Sequence, residues 1–218
     1  VDKEQPSVLR PSIDPALDMS DSDLFWQAHW KKFAWALAAV VFLILATGAW
    51  TFWTSYQQSS AEALLSEAST PEQWQQVATQ FPGTVPAGNA SLLLAQSLRE
   101  AGDLEGAGRE LEALLAAQPR HPLAGTAWLT LGGIYQLQGD AEQALEAYRT
   151  ASGRFTQSYA APLALVAEGR LLAVQGAEGE ARAVLQSVGA LYPDTPAAMV
   201  AAGEMARWGS AADSAVAP

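Results

Sequence analysis

The chain has 218 residues, half of them hydrophobic and only 16% charged, so it is long enough to bury a core and too apolar to be disordered throughout. Twelve Lys and Arg against 23 Asp and Glu leave a net charge of −11, the wrong sign for a protein that grips nucleic acid by displacing counterions from phosphates. There is no cysteine, and the two histidines, His29 and His121, lack a His, Asp or Glu at i+3 or i+4. Disulfides, thiolate metal sites and helical histidine metal sites are therefore excluded, and no metal or cofactor is expected.

Residues 1–19 hold Pro6, Pro11 and Pro15 among scattered charges without an apolar period, which predicts an extended tail. A helix is expected from Ser20 or Asp21, whose side chains can cap free amides ahead of Leu24 and Phe25. Trp26, Trp30 and Phe33 follow at i, i+4 and i+7, an aromatic stripe suited to a bilayer surface. Phe33 to Trp53 then forms an uncharged run of 21 residues, which as a helix covers roughly 30 Å, the thickness of a hydrocarbon core. Trp26 and Trp30 stand before the run and Trp50, Trp53 and Tyr56 at its far end, where amphipathic rings favour the headgroup level. A span over 33–53 within a helix over 20–56 is the reading. A cleaved signal peptide ending near Ala46-Thr47-Gly48 fits less well, because the run is longer than a signal's apolar region and begins far from the start.

Lys31 and Lys32 immediately precede the run, whereas no basic residue follows it until Arg99. The positive-inside rule places the N-terminal side in the cytoplasm and the long C-terminal part across the membrane, in the periplasm of a bacterial cell. No proline interrupts Phe33 to Ala68, so the helix can run past the membrane as a stalk until Pro71. Residues 57–86 are read as this stalk with connecting helices, including PEQWQQVATQF and the turn Phe81-Pro82-Gly83.

From 87 to 209 the sequence is rich in Ala and Leu with helical periodicity, and residues 210–218 form a C-terminal tail. Turn signals recur at Gly102, Gly139 and Gly176, 37 residues apart each time, each where a helix can end in a left-handed residue before its partner folds back. Trp128, Leu131, Gly132, Tyr135, Ala144, Tyr148 and Ala151 reproduce the signature of the tetratricopeptide repeat, which this region resembles. Ser91, Leu94, Ala95, Leu98, Ala107, Leu111, Leu114 and Pro119 fit the same pattern, as do Leu165, Gly169, Leu172, Ala181, Leu185, Val188 and Pro193. The interval exceeds the family's usual 34 residues, Thr156 stands where a proline is usual, and Glu168 replaces a leucine. The fold class is therefore all-α: one N-terminal transmembrane helix followed by a solenoid of about three repeats.

In that family the first helix of each repeat lines a concave face. Here the resemblance implies a protein-binding row of Asn89, Leu92, Gln96 and Arg99, then Thr126, Leu129, Gly133 and Gln136, then Leu163, Val166 and Arg170. This set lacks the several Lys, Asn and Arg residues that clamp a peptide's terminal carboxylate, so an extended or helical peptide is the expected ligand. Trp74 and Trp128 read as packing residues. Glu110 and Glu112 face different sides of a helix and make no acid–base pair. His29 lies outside the apolar run, ahead of Lys31, which favours an interfacial hydrogen-bonding role over ligation of a tetrapyrrole pigment; His121, in Arg120-His121-Pro122, looks incidental.

A single N-in span bearing an acidic periplasmic repeat domain resembles the YfgM-like ancillary proteins of bacterial inner membranes. The stretch from Ala87 to Ala95 looks like that group's start of the repeat region. The resemblance implies a non-enzymatic membrane-anchored adaptor whose repeats bind other membrane or periplasmic proteins, of the translocon- or chaperone-associated type. The alternative is a permanent accessory subunit of a large membrane complex, such as a photosynthetic or respiratory assembly.

Overall fold

The structure, a computed structural model, describes the backbone of residues 21–216 and side chains from 29 to 208. The tail expected over 1–19, the cap at Ser20 and the side chain of Trp26 lie outside the described residues. Nine helices and no strand occur among the described residues, in two compact units that divide between Ser55 and Tyr56.

The first unit is the N-terminal part of α1 (Asp21–Glu67). Many of its apolar side chains are exposed: Trp35 is 78% exposed, Phe52 76% and Leu45 66%. The hydroxyls in this stretch are satisfied within the helix, Thr47 Oγ1 donating to the Leu43 carbonyl at 2.8 Å and Thr51 Oγ1 to the Gly48 carbonyl at 3.0 Å. The helix thus presents no unmet side-chain hydroxyl from these positions to apolar surroundings.

The second unit begins with the last turns of α1, where Ala61 is fully buried and Gln58 Oε1 accepts from the Val85 amide at 3.3 Å. It continues with α2 (Pro71–Gln80), α3 (Val85–Glu100), α4 (Leu104–Ala117), α5 (Ala124–Gln138), α6 (Ala141–Arg154), α7 (Ala160–Val174), α8 (Glu178–Leu191) and α9 (Pro196–Val216). Consecutive helices pack as hairpins, α3 with α4, α5 with α6 and α7 with α8, and each hairpin stacks on the next.

Within each hairpin the turn takes its form from glycine. Gly102, Gly139 and Gly176 have φ of +84°, +86° and +82°, a region costly for any residue with a Cβ. In the first hairpin the Gly102 amide bonds to the Arg99 carbonyl and the Asp103 amide to the Leu98 carbonyl; the same pair of bonds recurs at Gly139 and Gly176. This is the Schellman closure, which satisfies carbonyls orphaned at a helix end. Asp103 and Asp140 then cap the returning helix by accepting from the Gly106 and Gln143 amides at 2.8 and 3.1 Å. Ala177 holds the equivalent position in the third hairpin and gives α8 no side-chain cap.

The opposite ends of the hairpins carry side-chain acceptors in register too. Thr84, His121, Ser158 and Thr195 are spaced at 37 residues, and their side chains accept from the amides of Ala87, Leu123, Ala160 and Ala198 at 3.1–3.3 Å. His121 is consequently far from incidental. It is buried, its Nε2 lies 3.1 Å from the Val85 carbonyl, and it joins the start of α3 to the start of α5. The Leu123 amide donates to Nδ1, which leaves Nε2 to carry the proton. Gly88 keeps room for the ring, since a Cβ there would come within 2.4 Å of Nε2.

The core is built of matching columns. Ala90, Ala127, Ala164 and Ala201 are all fully buried, as are Ala107, Ala144 and Ala181. These single methyls let backbones approach closely, while Leu111, Tyr148 and Leu185 fill the seam beside them. At Gly132 even a methyl is excluded, because a Cβ would meet the Tyr148 ring at 2.5 Å. The column through Ala201 shows that α9 is a further first helix in the series, so the solenoid holds three hairpins plus one. α9 also stays helical to Val216, through most of the stretch expected as a tail.

Two predictions arise from the caps. Replacing Ala177 by Asp supplies the missing acceptor on a backbone like that of Asp103 and Asp140, and it raises stability by about 1 kcal/mol in denaturant titrations. Hydrogen bonds from the Gln143 amide and side chain hold the Asp140 carboxyl below its ordinary range. A depressed acid stabilises the fold above its unfolded value, about pH 4, and loses that effect as pH falls through the folded value. The melting-temperature gap between the natural protein and Asp140→Ala is therefore wide at neutral pH and narrows in acid.

Candidate functional site: the face of the first helices

The first helices α3, α5, α7 and α9 present one row of side chains per repeat. Asn89, Thr126, Leu163 and Val200 occupy one register position, and Gln96, Gly133, Arg170 and Arg207 another. Both sets change character along the solenoid, from polar and uncharged at α3 to apolar and cationic at α9.

At the α3 end the predicted residues are tied to one another. Arg99 Nη2 donates to Gln96 Oε1 at 3.0 Å, and Gln96 Nε2 donates to Glu100 Oε1. Asn89 Oδ1 and Arg99 Nε are buried with no hydrogen-bond partner among the described residues. Leu92 is half-buried against the cluster around Leu111 and Leu131. In the next hairpin, Thr126 Oγ1 donates to the Tyr159 hydroxyl at 3.1 Å, and Gln136 Oε1 accepts from the Tyr148 hydroxyl at 2.8 Å. Leu129 packs against the cluster around Tyr148 and Leu171. Burial raises the Tyr148 hydroxyl's pKa above its usual value; Tyr135 is raised further by burial and by donating to Glu112 Oε1 at 2.7 Å.

At the α7 end the structure departs from the predicted row. Val166 is mostly covered: it is 5% exposed and packs in a cluster with Leu185, Val188, Ala197 and Ala201, yet it still lines the floor of a hollow beside Leu163 and Arg170. The reason is α9, which covers that side of α7 where the repeat register predicts open groove. Arg170 is likewise engaged, its Nε and Nη2 donating to Glu204 Oε1 of α9 at 3.1 and 2.8 Å. Leu163 remains exposed. α9 itself adds Met199, Val200, Glu204 and Arg207, residues absent from the predicted set although the 37-residue register points to Val200 and Arg207.

Glu168, which stands where leucine is usual, is buried and accepts from Arg149 Nε of α6 at 2.7 Å. It therefore clasps the second hairpin to the third. Among the membrane-interface residues, Trp30, Lys31, Lys32, Trp50, Trp53 and Tyr56 are exposed, and His29 is half-buried with a partner within the chain. No three His, Asp or Glu side chains gather to hold a metal ion among the described residues.

A family model described as a tetratricopeptide repeat-like domain matches residues 24–199, and the chain belongs to that family. The match begins ahead of the apolar run and so includes it. Two crystal structures of nearly identical TPR-like repeats from a putative kinesin light chain of Podosopora anserina share the fold. One, of a substituted form, has a TM-score of 0.53 at 19% identity, and the other 0.52 at 20%; each alignment covers 70% of this chain and 83% of that one. No curated protein matches the sequence. Fold and family define a repeat scaffold for protein–protein interaction, and nothing in them indicates catalysis.

The clasp gives a prediction. Arg149→Ala leaves a buried carboxylate without its partner and destabilises the protein by about 3 kcal/mol. The double variant Arg149→Met with Glu168→Leu, which restores the family's usual leucine, recovers most of that loss in denaturant titrations.

Proposed function

We propose that the protein is a non-enzymatic scaffold anchored in a membrane by α1, whose repeats hold partner proteins beside a membrane complex. The observation that carries the anchor is the burial of the most apolar 18-residue window of α1, which is 0% at a mean hydropathy of 2.1. A core helix of that composition would be covered by the rest of the chain, because each large apolar side chain left in water forgoes about 1.5–3 kcal/mol. A bilayer covers it equally on all sides, which suits a helix with no polar face.

Lys31 and Lys32 ahead of the run, and the absence of basic residues from 54 to 98, support an N-in orientation with the repeats on the far side of the inner membrane, in the periplasm. With the acidic repeat domain, this order of parts supports a role like that of the YfgM-like ancillary proteins, which attend the translocon and periplasmic chaperones. Tethering would raise the effective concentration of partners near such a complex without requiring tight contacts.

In membrane fractions the protein should resist extraction by alkaline carbonate. A C-terminal alkaline phosphatase fusion should be active and a green fluorescent protein fusion dark, with Lys31→Glu and Lys32→Glu together mixing the two orientations. Release by carbonate would remove the anchor from this reading, and a bright fluorescent fusion would reverse the orientation.

A further inference from the structure

We infer that the surface between α7 and α9 seats a segment of a partner protein that offers an apolar side chain with a neighbouring carboxylate. The inference rests on the scaffold reading above and names the chemistry that this part of its face selects.

Two adjoining cavities lie here. One, of about 220 Å³, is lined by Leu163, Ala167 and Val200 among others; the second, of about 360 Å³, is lined by Met199, Glu204 and Arg207; Arg170 and Val200 belong to both. Met199 is 77% exposed, and Leu163 and Val200 also lie open to solvent. In the same register Asn89 and Thr126 take the places of Leu163 and Val200, so this position turns apolar in α7 and α9. Such a shallow pair of hollows suits peptide side chains rather than an enclosed small molecule.

Charge selects further. The chain carries −11 overall, yet these cavities are lined by two guanidinium groups and one carboxylate. Both guanidinium groups share a single oxygen, Glu204 Oε1, with Arg170 Nη2 at 2.8 Å and Arg207 Nη1 at 3.7 Å. Glu204 thus fixes the arginines at the rim of the apolar floor. Arg170 commits two of a guanidinium's five donors to it, and its side chain is 52% exposed. Gln96 and Gly133 occupy its place in the earlier repeats, so at this register position positive charge appears in α7 and α9, beside Leu163 and Val200. A carboxylate is attracted here and repelled by the acidic remainder, which orients the bound segment as well as holding it. A second copy of the chain, with the same net charge, would approach against that repulsion.

The test uses the full chain in detergent and three fluorescent ten-residue peptides: one with two leucines followed by two glutamates, one with lysines for the glutamates, one with serines for the leucines. The leucine–glutamate peptide should bind at least about tenfold more tightly than either other by fluorescence anisotropy. Arg170→Glu should weaken it about tenfold and shift preference to the lysine peptide, and Met199→Asp, at an exposed position that spares the fold, should weaken it similarly. No binding of that peptide up to about 1 mM, equal affinity for all three, or indifference to both substitutions overturns the inference. A dimer in sedimentation that Met199→Asp dissociates would also overturn it, since a second copy would then occupy the surface. Photo-crosslinkers at Gln96 and Met199 in native membranes separate this from the scaffold reading: adducts at Gln96 alone remove the α7–α9 site and keep the scaffold, and adducts at neither remove both.

Discussion

The close approach of paired helices is the constraint on which this structure depends. Ala107, Ala144 and Ala181 on the second helices, and Ala90, Ala127, Ala164 and Ala201 on the first, are buried to the last atom. Each contributes little apolar area of its own. Their contribution is the distance they permit, which lets Leu111, Tyr148 and Leu185 reach across the seam and close it. Where the ring of Tyr148 needs still more room, Gly132 yields its side chain altogether. A larger residue in any column would push two helices apart and, through the stacking of hairpin on hairpin, disturb its neighbours as well.

Around those columns the repeat tolerates substitution so long as the physical role is kept. The helix-start acceptor is Thr84, His121, Ser158 and Thr195 in turn, four side chains with one job. His121 does more, reaching back to the Val85 carbonyl, and this longer reach is matched by a glycine at position 88. Glu168 follows the same rule: a charged residue in a leucine position survives because Arg149 stands opposite on the preceding hairpin.

Much of this is legible in the sequence. The three glycine turns, the direction of each hairpin and the all-helical class follow from Gly102, Gly139 and Gly176, because only a left-handed residue closes a helix end that way. The extra helix α9 is equally written in the alanine spacing that ends at Ala201, but its signature tyrosine and tryptophan positions are small residues, so a motif search passes over it. What periodicity does not supply is which side of α7 this helix covers. Register alone therefore leaves the Leu163, Val166 and Arg170 side of α7 open, whereas α9 covers most of Val166 and its Glu204 holds Arg170. His121 is obscured for another reason: its partners lie 36 residues earlier and two residues later, and no spacing rule links a histidine to a distant carbonyl.

The strict 37-residue interval has one more consequence. Because turn glycine, helix-start acceptor and alanine column all recur with the same period, a whole period can be copied and spliced in without redesigning either flank. The repeat unit is in that respect modular in length, like a chain of identical links. It can lengthen or shorten by duplication or loss of one link, while the cationic rim that α7 and α9 build together stays intact wherever those two helices remain neighbours.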